Sequence, residues 1–234
     1  MIFPTKELEE YFKDLKPIEG IVSVWGDFGV GKTTFALQTA LNTAKKGDKI
    51  VYLYSKPHFP SEKVQMFLSD LTEPEKEEIL DNITFIQSTS LDDLNTIIFN
   101  LEFLILSNLE QKDEMLQLII IDSLTDLYRI ELYQEKKEKN VNLNYQLSQI
   151  LANLFYINET YYIEVLITNE LTKKTEELEI LEVPSGGNVM EYWTQYSLKI
   201  ERTEELNQRK IIMVKSGKEE LSESIVNLTE FGFK

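Results

Sequence analysis

The stretch Gly26-Asp27-Phe28-Gly29-Val30-Gly31-Lys32-Thr33 limits the folds open to this chain more than any other feature. It has the spacing G-x-x-x-x-G-K-[ST]. Its surroundings are those the spacing needs, a short apolar strand (Ile21 to Trp25) before it and a helix over 32–46 after it. Phe35, Leu37, Ala40, Leu41 and Ala44 supply the apolar positions of that helix and Gly47 its stop. In such a turn the glycines let backbone N–H groups face phosphate oxygens, and the helix N-terminus adds partial positive charge. Lys32 then reaches the β- and γ-phosphates of a nucleotide, and the Thr33 hydroxyl is placed to ligate Mg²⁺. The candidate phosphate-binding residues are Gly26, Asp27, Phe28, Gly29, Val30, Gly31, Lys32, Thr33 and the adjoining Thr34.

Strand-like and helix-like segments alternate along most of the chain, which predicts an α/β fold with a mostly parallel sheet flanked by helices. A β-branched and aromatic strand covers 49–54, and Pro60 opens a helix over 60–70. Thr72-Glu73-Pro74-Glu75 has capping-box spacing, and Ser90 caps a helix in which Leu94, Ile97, Ile98, Leu101 and Ile105 recur at helical period. The most apolar strand, 116–121, ends in Asp122, a carboxylate placed where it would face Mg²⁺ or its water shell. Residues 134–140 and 171–190 read as loops, with a helix over 142–158 and a strand over 161–168 between them. Three further strands, 195–202, 209–215 and 224–229, have connections too short for crossover helices, so this part is expected to be antiparallel.

With 234 residues, 42% of them hydrophobic, the chain can bury a full core, and the reading is one domain over 1–234 in which 1–19 is a short N-terminal extension. There is no cysteine, which excludes disulfide and thiolate chemistry and suits a reducing compartment. No signal peptide is visible, and the longest apolar stretch, 94–109, contains Glu102 and is too short to span a bilayer. A cytoplasmic protein without membrane contact is expected. The formal net charge of −16 argues against a surface that coats nucleic acid throughout, although it leaves room for a local basic groove.

The segments GDFGVGKTTFALQTAL, LIIIDSLTDLYRIE, LITNE, GGNVMEYW and RKIIMVK…IVNLTEFGF stand in the order found in the RecA-like recombinase family. The chain resembles that family over roughly residues 20 to 233, and within it the archaeal RadA paralogues of the RadB type. The resemblance implies a RecA-type core, ATP and Mg²⁺ as ligands, and an accessory role in homologous recombination or DNA repair. The partner would be the main recombinase or another RecA-family paralogue. It also places two DNA-facing loops at 130–141 and 171–190, with Lys136, Lys137, Lys173 and Lys174 as candidate contacts to single-stranded DNA among several glutamates. Tyr192 and Trp193 would either stack on bases or belong to the core. Lys215 falls where relatives hold a residue that reaches a neighbour's nucleotide, and His58, the only histidine, reads as a surface residue.

Two departures fall at the expected reaction centre. Relatives carry a glutamate that activates water at the tip of the strand after the phosphate-binding helix; here Tyr54-Ser55-Lys56-Pro57 delivers Lys56. A protonated lysine cannot be that base, but it can pair with the γ-phosphate and so favour holding ATP over cleaving it. Relatives read T-N-Q near the γ-phosphate; here the residues are Thr168-Asn169-Glu170. Either Lys56 and Glu170 compensate each other as an ion pair, or Glu170 takes over as base. The expectation is a nucleotide-binding recombinase paralogue with weak or absent hydrolysis, centred on Lys32, Asp122, Glu170 and Lys56. The rival expectations are a nucleotide-switched interaction module and a KaiC-like regulatory ATPase without DNA binding.

Overall fold

The computed structural model describes residues 1–108, 115–132, 137–176, 179–215 and 223–234. Helix α1 (Lys6–Phe12) precedes β1 (Ile21–Gly26), α2 (Lys32–Ala44) and β2 (Lys49–Tyr54). The chain continues through α3 (Ser61–Phe67), α4 (Glu73–Leu80), β3 (Ile83–Gln87), α5 (Leu91–Asn108), β4 (Leu116–Asp122) and α6 (Leu124–Glu131). It ends with α7 (Lys137–Tyr161), β5 (Glu164–Glu176), β6 (Glu179–Pro184), α8 (Gly187–Trp193), β7 (Thr194–Arg202), β8 (Gln208–Lys215), β9 (Glu223–Thr229) and β10 (Gly232–Phe233).

Among the described residues these strands form one sheet in the order β10-β9-β8-β7-β1-β5-β4-β2-β3, with β6 hydrogen-bonded to β5. The pairs from β7 through β1, β5, β4 and β2 to β3 are parallel, and β7 to β10 are antiparallel, as the sequence leads one to expect. The strand period of two sorts the apolar side chains between two layers. Leu118 and Ile120 of β4 join Val22, Val24 and Tyr52 on the face covered by α1 to α4, whereas Ile119 and Ile121 join Val51 and Leu53 under α5 to α8. Strands buried on both faces read as continuous apolar runs, which is why 118–121 is the plainest strand in the sequence. Met1, Phe3, Leu8 and Phe12 are buried in the first layer, so the segment before β1 packs on the core. No helix of the described residues is long and apolar enough to cross a membrane.

Two loops expected from the sequence are corrected. Residues 171–176 extend β5 and 179–184 form β6, which pairs with it as an antiparallel ribbon, and 187–193 form α8. The α7 helix begins at Lys137, inside the stretch read as a loop, and runs on to Tyr161. The capping box at Thr72 and Glu75 is present, and the Ser90 hydroxyl accepts from the Asp93 amide, as read from the sequence.

Register positions the site. Gly26 of β1 lies beside Glu170 of β5, and Tyr54 of β2 lies beside Asp122 of β4. The carboxyl ends of four parallel strands therefore open onto one crevice, where ligands of open α/β sheets bind.

Candidate nucleotide site

The turn between β1 and α2 is built by backbone conformations that suit glycine. Gly31 has φ 112°, and a Cβ there would lie 2.9 Å from Leu228 and 3.0 Å from Phe233. A Cβ on Gly26 would lie 2.2 Å from the backbone oxygen of Ile200. The turn is thus pressed against β7, β9 and β10, and any side chain at these positions would push it away. Val30 turns inward and is buried, so it offers the crevice only its backbone. Phe28 at the tip is 82% exposed. Two arginines brace the turn from the antiparallel strands. Arg202 donates to the Phe28 carbonyl at 2.7 Å and pairs with Asp27, and the buried Arg209 donates to the Val30 carbonyl at 3.2 Å.

The turn opens on a cavity of about 680 Å³, within the roughly 300–1,000 Å³ range of small-molecule sites. Its walls bring together Lys32, Thr33, Thr34, Lys56, Asp122 and Glu170, as well as Lys63, Asp126 and Arg129. Lys32 is almost fully buried and donates to the carbonyls of Gly26 at 3.0 Å and Asp27 at 2.9 Å. It also forms an ion pair with Glu170 at 3.1 Å. The expected Lys56–Glu170 pair is therefore corrected. Strand order is the reason: β5 adjoins β1, so Glu170 reaches the Lys32 ammonium, while β2 lies beyond β4 and puts Lys56 over Thr33. The Lys56 ammonium donates to Thr33 Oγ1 at 2.8 Å.

Asp122 is the hub of the crevice. Its Oδ1 accepts from Thr33 at 3.2 Å and from Thr168 at 2.7 Å, and its Oδ2 accepts from Tyr52 at 3.0 Å. Burial, reinforced by the Asp122 charge and hydrogen bond, holds the Tyr52 phenol well above its ordinary value. Lys63 donates to Thr34 at 2.7 Å; burial lowers its pKa and the neighbouring Lys56 adds to that. Asp126, in the first turn of α6, has its pKa raised by burial and then by the charges of Glu170 and Asp122, against Lys56 and Lys32. A carboxyl raised in the folded state contributes stability below its unfolded value of 3.8 and loses it as pH rises through the folded value. Asp126→Asn is therefore expected to raise the melting temperature at pH 7, with the gain fading as pH falls toward 3.8. Paired thermal melts of wild type and variant check this; a gain independent of pH counts against it.

The donor set for a divalent cation is Thr33 and Asp122, and among the described residues there is no cluster of three or more carboxylate or histidine groups able to hold a metal. Thr33 gives its proton to Asp122 and accepts from Lys56. The ammonium takes one of the two lone pairs of the hydroxyl oxygen and puts a positive charge 2.8 Å from it, where a metal would sit, so the residues in this arrangement do not fit a bound Mg²⁺.

The other sites expected from the sequence are scattered. Lys136 lies outside the described residues and Lys137 opens α7. Lys173 and Lys174 are successive on the ribbon, opposite Glu182 and Leu181, so their side chains leave opposite faces and do not make one basic patch. Trp193 donates from its indole to Ser148 at 3.0 Å and is half-buried, whereas Tyr192 is 74% exposed. Lys215 donates to the Glu191 carbonyl at 2.6 Å within the same chain, and His58 is exposed.

The family model described as Rad51 matches residues 6–234. This chain belongs to the Rad51 family. Its curated relatives include "DNA repair and recombination protein RadB" of Methanococcus maripaludis strain C5, 28% identical over 208 residues that span 89% of this chain and 87% of the relative. The protein of the same name from Methanosphaera stadtmanae is 26% identical over 183 residues, 78% of this chain and 73% of that one. The one from Methanocaldococcus jannaschii is 27% identical over 182 residues, 78% of each chain. In this Rad51-family chain, sequence reading missed Lys63, Asp126 and Arg129 in the walls of the crevice, and Tyr52, Arg202 and Arg209 as supports of Asp122 and the turn. The scarcity of arginine was the one signal available for the two braces: of three in the chain, two hold the turn.

Proposed function

We propose that this chain binds ATP at the Gly26–Thr33 turn, hydrolyses it slowly or not at all, and serves as an accessory factor in homologous recombination or DNA repair beside a main recombinase or another paralogue. The observation that carries the reading is the wiring of the crevice: Lys32 is held by Glu170, and an ammonium, Lys56, stands over Thr33. A triphosphate supplies the oxygens that Lys32 and Lys56 seek, and the turn supplies the amides. Both Glu170 oxygens lie 3.1 Å from the Lys32 ammonium, so the carboxylate that replaces the usual glutamine is engaged by Lys32. Family membership supports ATP as the ligand, and the relatives' name supports the setting in repair and recombination.

A second reading, a nucleotide-switched interaction module without DNA contact, is favoured by the net charge of −16 and by the divided faces of Lys173 and Lys174. One experiment separates the two: binding of labelled single-stranded DNA at several salt concentrations, with and without ATP, alongside phosphate release. The recombination reading expects ATP-strengthened binding that weakens steeply with salt, and turnover that barely exceeds background. Binding absent under every condition removes the DNA contact and leaves the switched module. Brisk phosphate release would contradict the assignment of Lys56 and Glu170.

A further inference from the structure

We propose that the Lys56 ammonium occupies the place of the divalent cation at this site, so that the chain binds a nucleoside triphosphate without Mg²⁺. The proposal rests on the reading of the Gly26–Thr33 turn as the ATP site and names the counter-charge that site uses.

Geometry carries the inference. The Thr33 hydroxyl is the group in this motif whose oxygen would meet a metal, and Lys56 Nζ lies 2.8 Å from it. The hydroxyl proton is turned to Asp122 at 3.2 Å, so ammonium, hydroxyl and carboxylate form a chain across the crevice. A carboxylate offers about four lone-pair positions, and three of those on Asp122 already receive Thr33, Thr168 and Tyr52. An ammonium has three N–H groups, of which Thr33 takes one; the others remain for phosphate oxygens, and Lys56 lines the cavity where these would lie.

The lysine is delivered there by fixed backbone. The Ser55 amide donates to the Asp122 carbonyl at 3.0 Å, and the Ser55 hydroxyl accepts from the Ser123 amide at 3.1 Å. Gln87 donates to the Lys56 carbonyl at 3.0 Å, and Pro57 follows. The tip of β2 is thereby tied to the tip of β4, and the side chain has a short reach to Thr33. A second ammonium, Lys63, sits on Thr34 in the same cavity, and its pKa is lowered by burial and by the charge of Lys56. A dication entering here would meet both lysines at close range. An ammonium neutralises phosphate charge but is no Lewis acid, which accords with a site that holds a triphosphate better than it splits one.

The test is calorimetric titration of the full chain with ATPγS, in Mg²⁺ and in excess EDTA, for wild type, Lys56→Ala and Lys56→Arg. Lys56 is exposed and outside the core, and thermal melts verify that the variants fold. Wild type is expected to bind with dissociation constants within about threefold of each other in the two buffers, while Lys56→Ala weakens about tenfold or more in EDTA and recovers in Mg²⁺. Lys56→Arg should keep the metal-independent behaviour. If wild type binds only in Mg²⁺, the proposal falls and the ATP site stands. If Lys56→Ala matches wild type in EDTA, or weakens equally in both buffers, Lys56 is not a metal substitute. Absence of binding in both buffers overturns the ATP site and the proposal with it.

Discussion

Replacing Lys32 by alanine is expected to weaken ATPγS binding by about a hundredfold or more, the loss of two charge-assisted contacts worth roughly 1.5–3 kcal/mol each. The same substitution touches the folded state. Lys32 satisfies the carbonyls of Gly26 and Asp27 and neutralises Glu170, whose side chain is only 16% exposed. Removing the ammonium leaves these acceptors without their donor, at about 1–3 kcal/mol. The two effects separate in a double variant. Lys32→Ala with Glu170→Gln no longer strands a carboxylate, although the Gly26 and Asp27 carbonyls still lack their donor, so the melting temperature recovers in part while binding does not. Glu170→Gln alone frees Lys32 from its internal partner and takes a negative charge from the phosphate site; its affinity is expected to rise about tenfold. A Lys32→Ala variant that binds ATPγS as wild type does would show that the turn is not the phosphate site.

The second large effect is on stability. Asp122→Ala withdraws the acceptor of three hydroxyls, two of them on Tyr52 and Thr168, which are both fully buried. Thr168 can rotate its hydroxyl in search of another acceptor, but the Tyr52 phenol is held by its ring and stays unpaired in the core. The cost is on the order of 3 kcal/mol, which for a chain of this size lowers the melting temperature by about 6–12 °C. Asp122→Asn keeps one carbonyl oxygen and is expected to cost less. Thermal denaturation measures both, and an alanine variant that melts within about 2 °C of wild type would show that Asp122 has no structural share.

The parts of this molecule that could be read from residues alone are those where local chemistry and burial agree. The run Leu118–Ile121 is buried on both faces, and a turn with glycines at 26, 29 and 31 followed by Lys32 has one familiar use. The β5–β6 ribbon was opaque because it stands off the core: Lys173, Lys174 and Ile180 are exposed, so no apolar alternation marks its strands, and its charged composition resembles a loop. Two-residue β10 is too short to leave a pattern. At the site, the identity of the unusual residues was visible but their partners were not. Whether Glu170 meets Lys56 or Lys32 depends on which strand lies beside β1, and strand order is set by the packing of the whole sheet. Tyr52 likewise gave no hint, since a tyrosine in a buried strand reads the same whether or not its hydroxyl finds a carboxylate.

The turn that defines the site is held in place by residues from the far end of the sequence. Leu228 and Phe233 press on Gly31, Arg209 holds the Val30 carbonyl, and Phe233 exchanges hydrogen bonds with Gln38 of α2. During synthesis the phosphate-binding segment leaves the ribosome some two hundred residues before these braces exist. A nascent chain therefore carries the motif long before it carries the residues that hold the turn in place.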